Sequence, residues 1–549
     1  MSEKLKWWQE TIAYEAYPRS FKDTTGNGTG DIQGIIEKLG YLESLGVGVL
    51  WLTPVCKSPM CDNGYDISDY TSIDPSFGTM EDMDELFAKA REHGIRIVMD
   101  LVFNHTSDEH PWFIESASSR DNPKSDWYVW RDGVDGKEPS NWRSIFGGSA
   151  WRYCPSRDQY CLHTFAPGQP DLNWANPDVR HALYDAARFW LDKGAGGFRI
   201  DAITYVKKPD EIRWSEKTDG EDGMISVHDM TANQPGILAY LHEFKREVCS
   251  GRDVFTVAEA NGVGPDELKY WVGKDGAFDM LFEFSHINLD FVGIELWCKP
   301  QDWTISDLKK ALRDSQEATR DNGWYPAFFE NHDKPRSIDH FLPACPDKKL
   351  AAKTLATILL TLRGTPFVYQ GEELGYQNAS FASLDDYNDI STFGQFQYAK
   401  DEGFSDEEAM AAVRRFSRDN ARTPMQWDDT PNAGFTSGKP WLGVHEDYRS
   451  DNVKAQAKDP DSVLSYYRAL ATLRKEHRAL VDGDWQEIMA DDPCVIAYRR
   501  ANELETIEIY ANLSCNAITL DATGSVLMAT GAYETGRLAP YEAVILAKS

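Results

Sequence analysis

Eight short runs rich in Val, Ile, Phe and Tyr alternate with stretches of helical periodicity between residues 12 and 374, and this alternation limits the fold more than any other feature of the chain. The runs are "IAYEAYPRSF" (12–21), "VGVLWLTPV" (47–55), "IRIVMDLVFNH" (95–105), "GGFRIDAI" (196–203), "VFTVAEA" (254–260), "AFDMLFEF" (277–284), "WYPAFFENHD" (324–333) and "TPFVYQGEEL" (365–374). Amphipathic patterns separate them, such as "MEDMDELFAKAREHG" before the third and "DVRHALYDAARFWLDKG" before the fourth. Repeated strand–helix units imply parallel strands, and eight of them predict an α/β fold closed as a (β/α)8 TIM barrel.

Two connections are too long to be plain loops. Residues 106–175, rich in Trp, Gly, Pro and Ser, read as a small domain inserted after strand 3. A second polar insertion follows strand 8 and contains "SRDNARTPMQWDD". Beyond it, "CVIAYRR", "TIEIYANLS" and "EAVILAK" predict a C-terminal antiparallel β-domain. The expected division is barrel over 1–105 and 176–477, inserted domain over 106–175 and β-domain over 478–549.

At 549 residues the chain exceeds what one core can organise. A net charge of -31 argues against nucleic acid or anionic membrane as partner and suits a neutral small molecule. No run approaches the roughly 20 apolar residues of a membrane span, and "MSEKLKWWQE" has no apolar signal core. Nine cysteines without a C-x-x-C pair read as reduced thiols in a cytoplasmic protein; Cys56/Cys61 and Cys154/Cys161 are the only close pairs. The sequence carries no signal for oligomeric state.

Chemistry in a barrel of this kind sits at the C-terminal strand ends, where this chain places its polar residues. Strand 3 ends in Asp100, Asn104 and His105; strand 4 in Arg199 and Asp201; strand 5 in Glu259; strand 7 in Asn331, His332 and Asp333. Arg199 and Asp201 are two apart and share one face of their strand. A buried ion pair closing the barrel would explain that pair alone, but it explains the four strand ends together less well. Three carboxylates converging on one pocket are what glycoside hydrolysis needs: one to attack, one to donate and accept a proton, one to stabilise the transition state.

"DLVFNH" (100–105), "GFRID" (197–201), "VAEA" (257–260) and "FFENHD" (328–333) resemble, in order, the four motifs of the α-amylase family of glycoside hydrolases. "QPDLNW" (169–174) and "RTPMQW" (422–427) resemble its branch of oligo-1,6-glucosidases, dextran glucosidases and bacterial α-glucosidases. The resemblance implies a retaining, exo-acting α-glucosidase that releases non-reducing terminal glucose from short α-glucosides and needs no organic cofactor. It implies Asp201 as nucleophile oriented by Arg199, Glu259 as general acid/base, Asp333 as transition-state stabiliser, and His105 and His332 as partners of the reacting glucose. Asp62, Tyr65 and Arg422 resemble the residues closing the subsite around that glucose, with Phe146, Phe165 and Gln169 at its mouth.

Three departures from the branch's 1,6-cleaving members lean the expected linkage towards α-1,4 or broad. Ala202 follows the nucleophile where those members have valine, Asn261 stands near the acid where they tend to have tryptophan, and Ser391 stands near the place of a leaving-sugar glutamate. "DTTGNGTGD" (23–31) resembles the branch's metal loop, with Asp23, Thr25, Asn27, the Thr29 carbonyl and Asp31 as ligands. Only two are carboxylates, so the expectation is weak, structural Ca2+. Of the rival expectations, a sucrose isomerase would carry an arginine/aspartate-rich loop, and "NHDKPRSIDHF" leads into none. A non-catalytic transporter subunit would have a membrane anchor and would have lost catalytic carboxylates.

Overall fold

The computed structural model describes residues 5–220, 222–291, 295–379 and 381–548. Eight strands form one parallel sheet: β1 (Ile12–Ala16), β2 (Val47–Leu52), β3 (Arg96–Val102), β4 (Gly197–Asp201), β5 (Phe255–Glu259), β6 (Met280–Phe282), β7 (Pro326–Ala327) and β8 (Thr365–Tyr369). Their order is β6-β5-β4-β3-β2-β1-β8-β7. The edge strands close through side chains rather than a ladder. His286 Nε2 lies 2.7 Å from the Phe328 carbonyl oxygen, and the Phe282 ring packs on Phe328 and Phe367 at 5.0 and 4.9 Å. This is the expected barrel.

All eight runs form strands, and each strand stops short of the end of its apolar run. β1 ends before Pro18, which cannot donate to a ladder and instead opens a short helix, Pro18–Phe21. β4 ends at Asp201 because Ala202 turns into the left-handed region, φ 45° and ψ 34°. β7 is only two residues long, and the rest of "WYPAFFENHD" leaves the ladder. The chain thus stops pairing where polar side chains must be lifted over the barrel mouth.

Between β3 and β4, Trp130–Arg131, Gln159–Leu162 and Trp151–Cys154 form a small antiparallel sheet. Its core is not built from this segment alone. Trp142–Arg143 pairs in parallel with Ile225–Ser226 from the connection after β4, and Ile225 and Val227 pack with Val129, Trp142, Trp151 and Leu162. Lys208 fastens the same junction: its buried ammonium lies 2.6 Å from Asp171 Oδ2 and 2.9 Å from Asn104 Oδ1. Strand 3, the inserted segment and the connection after strand 4 therefore share one set of contacts.

A five-stranded antiparallel sheet ends the chain, with Asp484–Glu487, Val495–Ala501, Thr506–Asn512, Ala543–Ala547 and Ser525–Ala529 adjacent in that order. The helix Lys348–Thr361, buried continuously from Ala351, joins it to the barrel. Thr361 Oγ1 lies 2.6 Å from Tyr498 Oη, and Tyr498 Oη donates to Ile358 O at 3.1 Å. The nine cysteines are all free thiols. Among the described residues no helix is long and apolar enough to cross a membrane.

Gly197 opens β4 against the β5 backbone: a Cβ built there would stand 2.0 Å from the Phe255 carbonyl oxygen. Gly197→Ala is expected to cost about 1–3 kcal/mol, as overpacking does, and to lower the melting temperature. An unchanged melting curve would show that the two strands can separate freely at this point.

Candidate active site

Arg199 stands mid-strand in β4 opposite Asp100 of β3, and Asp201 and Glu259 are the last residues of neighbouring strands. Parallel register and the two-residue repeat thus bring three carboxylates around one guanidinium. Arg199 Nη1 donates to Asp100 Oδ1 and Oδ2 at 2.9 and 3.0 Å and to Asp201 Oδ1 at 2.7 Å. Its Nη2 donates to Glu259 Oε2. The guanidinium is 2% exposed and lies 5.1 Å over the Trp51 ring, so its charge is met by carboxylates and aromatic faces rather than water. Burial pushes the Asp201 carboxyl up, Arg199 pulls it down, and the charges of Glu259, Asp100 and Asp333 add to the upward push.

Asp333 reaches the same space from the loop after β7. Its Oδ1 accepts from Arg422 Nη2 at 2.5 Å and Arg418 Nη1 at 3.4 Å, and its Oδ2 lies 3.5 Å from His332 Nε2. Burial alone would raise this carboxyl, but His332, Arg418, Arg422 and Arg199 outweigh it and hold Asp333 well below the usual carboxylate range. His332 is fully buried, with Nδ1 bonded to Glu15 and Nε2 2.6 Å from Tyr65 Oη. The Tyr65 and His332 rings stack at 5.4 Å and 4°. Tyr65 Oη donates to Asp100 Oδ2 at 3.1 Å, which joins the two clusters.

A cavity of about 610 Å³ opens over these groups. Asp62, Tyr65, His105, Phe146, Phe165, Asp201, Ala202, Glu259, Asn261, Asp333 and Ser391 line it, as the sequence positions suggested. Asn261 Nδ2 donates to Glu259 Oε1 at 3.1 Å, so the amide holds the oxygen that Arg199 does not. Ala202 holds its left-handed backbone on the cavity wall, a strain that clusters at working sites.

Gln169, Arg199, His332 and Arg422 stand behind the wall, each no more than 2% exposed. Gln169 Nε2 donates to Asp62 Oδ2 at 3.0 Å, and His105 Nε2 lies 3.0 Å from the Tyr65 carbonyl oxygen. Arg422 makes no hydrogen bond or ion pair with Asp62; the arginine that does is Arg418, whose Nη2 donates to Asp62 Oδ1 and whose Nε donates to Asp389 Oδ1, both at 2.9 Å, with its guanidinium over the Phe146 ring at 4.9 Å. Arg422 instead donates from Nε to His332 O at 2.8 Å and braces Asp333 from below. Both arginines lie in "SRDNARTPMQWDD", four residues apart, and linear spacing does not say which one turns to the cavity. Glu15 and Asp389 were also missed; neither carries a local signal beyond its residue type.

The 23–31 loop is held by its own donors. Thr25 N and Gly26 N donate to Asp23 Oδ1 and Gly28 N to Oδ2, all at 2.8 Å. Asp31 caps the helix Ile32–Glu37 through Gly34 N at 2.7 Å, and Asn27 Oδ1 accepts from Thr29 N at 2.7 Å. These oxygens are of the kind a hard cation takes. Among the described residues no three His, Cys, Asp or Glu side chains converge as a metal cluster.

A family model, the α-amylase catalytic domain, matches residues 15–483. The chain belongs to the α-amylase family. Within this family it is 46% identical over 510 residues to an oligo-1,6-glucosidase of Parageobacillus thermoglucosidasius, covering 92% of this chain and 90% of that one. It is 41% identical to the trehalose-6-phosphate hydrolase of Escherichia coli, covering 94% and 92%. Among solved structures, an isomaltulose synthase from Klebsiella sp. LX3 superposes with a TM-score of 0.95 at 40% identity, covering 99% and 100%. The α-amylase-family chain described here is accordingly a glycoside hydrolase of the oligo-1,6-glucosidase and α-glucosidase branch.

Burial lowers His105 from an ordinary 6.5 to about 4, and His110 likewise to about 4. Both are neutral in the fold and titrate near 6.5 once unfolded. Their contribution to stability is therefore complete above pH 6.5 and lost as pH falls towards 4. Melting temperatures are expected to fall across that window, and His105→Gln should flatten the dependence. A dependence as steep in His105→Gln as in the parent would contradict the burial of that ring.

Proposed function

We propose that the protein is a retaining, exo-acting α-glucosidase, with Asp201 as nucleophile, Glu259 as acid/base and Asp333 as the carboxylate that grips the reacting glucose and stabilises its charge. The observation that carries this reading is one guanidinium holding Asp201 and Glu259 together at adjacent strand ends of a cavity. Direct attack needs a carboxyl separation of about 5–5.5 Å, whereas an intervening water needs about 6.5–9.5 Å; sharing Arg199 favours the shorter. Exo action is supported by the Arg418–Asp62 pair, which walls the cavity beside Tyr65.

Among the described residues, each basic Arg or Lys side chain on the cavity wall is already matched by a carboxylate: Arg143 by Asp219 and Asp222, Lys334 by Glu295, Arg418 by Asp62 and Asp389. That leaves no free cation for a phosphate, so the substrate is a neutral glucoside rather than a sugar phosphate. The net charge of -31 and the free thiols accord with a cytoplasmic enzyme of small sugars.

For linkage we keep α-1,4 or broad, because Ala202, Asn261 and Ser391 all line the cavity and all depart from the 1,6-cleaving pattern. The names of the relatives favour α-1,6, and the isomaltulose synthase likeness favours rearrangement of sucrose. A time course on maltose, isomaltose and sucrose separates the three. Maltose cleaved at least as fast as isomaltose supports the first, isomaltose as best substrate the second, and rearranged disaccharide in place of glucose the third.

Asp201→Asn is expected to abolish turnover with folding intact; appreciable residual activity would remove it as nucleophile. Glu259→Gln should slow natural disaccharides about 10²–10⁴-fold and slow glycosylation by aryl glucosides with good leaving groups far less. Equal losses on both would sink the acid role.

Calcium in the 23–31 loop is likewise a proposal, supported by oxygen donors at alternate positions and limited to weak, structural binding by two carboxylates. A chelator should lower the melting temperature and remove bound metal. No change in either sets the proposal aside.

A further inference from the structure

Four residues on the cavity wall come from one helix, Ile390–Asp401: Ser391, Gly394, Gln395 and Tyr398. Their spacing places them on one helical face. The helix belongs to the insertion after β8, and this face meets the domain inserted after β3. At Gly394 the approach is backbone against backbone, since a Cβ built there would stand 1.8 Å from the Phe146 carbonyl oxygen. Glycine inside a helix costs about 1 kcal/mol relative to alanine, so close approach is favoured here over helix stability.

One turn further on, the Arg143 guanidinium covers the Tyr398 ring at 5.2 Å. Arg143 also clamps the connection after β4, with Nη1 2.5 Å from Asp219 Oδ1, and Nε and Nη2 each 2.7 Å from Asp222. Gly220 sits in the corner, where a Cβ would lie 2.7 Å from Arg143 Nη2 and 3.0 Å from Tyr398 Oη. Three connections therefore lock together beside the cavity, opposite in role to the Arg418–Asp62 wall that closes the subsite of the reacting glucose.

We propose that this junction is a roof that sets the length of glucoside the enzyme accepts, with Gly394 and Arg143 as specificity-determining residues. The inference rests on the reading of the cavity as a glucoside site. A cavity of about 610 Å³ lies within the roughly 300–1,000 Å³ of sites that enclose one small ligand. Short glucosides fit beneath the roof, and a longer chain must part Gly394 from Phe146 or Arg143 from Tyr398.

The test is binding, by calorimetry, in the full chain carrying Asp201→Asn, with a disaccharide and a five-unit chain of the same linkage. The parent should prefer the disaccharide, and Gly394→Ala and Arg143→Gln should each shrink that preference at least ~5-fold. Arg143→Lys, which keeps the charge but loses the bidentate grip, should fall between. Should Gly394→Ala fail to fold, the Arg143 variants decide. An unchanged preference in a variant with the parent's melting temperature overturns the roof, and so does equal weakening of both sugars. Turnover by the native chain is scored separately: a protein that binds both sugars and cleaves neither loses the hydrolase reading, while the binding ratios still decide the roof. A protein that binds neither loses both.

Discussion

The Arg199 guanidinium is the interaction on which the barrel mouth depends. It sits in the barrel with Asp100, Asp201 and Glu259 around it and almost no water. Several kcal/mol of desolvation per ion are offset only because every charge has a partner. Removing the shared cation leaves the Asp100 carboxylate buried without its partner, at a cost of about 3–5 kcal/mol. Strand register, strand termination and the position of each carboxylate are thereby bound to one another. β4 and β5 end at the residues that meet Arg199, and the chain turns sharply at Ala202 directly after the contact is made.

A second charged layer lies beside the first and is joined to it through Tyr65. Asp333, Asp62 and Asp389 are held by Arg418 and Arg422, and the Glu15–His332–Tyr65 chain runs between the layers. The two layers differ in electrostatic character. Arg199 is shared among three acids, so burial and mutual repulsion push the Asp201 carboxyl up, whereas the cations around Asp333 hold it ionised. Carboxyls with such different surroundings can take different parts in one reaction.

The barrel alone does not make the cavity. Its walls come from the connections after every strand from β2 to β8, and several of these brace one another. Ile225–Ser226 pairs with Trp142–Arg143 of the inserted domain, Lys208 ties that domain to Asn104 just beyond β3, and Arg143 and Gly394 join it to the helix after β8. A scaffold with fixed strand ends and mutually braced loops allows substrate choice to change while the carboxylates stay in place.

The sequence by itself determined the eight strands, their order as a parallel barrel, the antiparallel C-terminal sheet and the polar residues at the strand ends. Periodicity and local composition are properties of neighbouring residues, and strand-end positions follow from them. It also placed Asp201, Glu259 and Asp333 on one mouth, since parallel strands of a barrel end on the same side. Only the tertiary structure decided that Arg418 rather than Arg422 meets Asp62, that Glu15 stands behind His332, and that residues 225–227 belong with the inserted domain. Each of these joins positions far apart in the chain, Asp62 with Arg418 and Glu15 with His332. The direction in which a loop side chain turns is set by the packing around it, which no local spacing encodes.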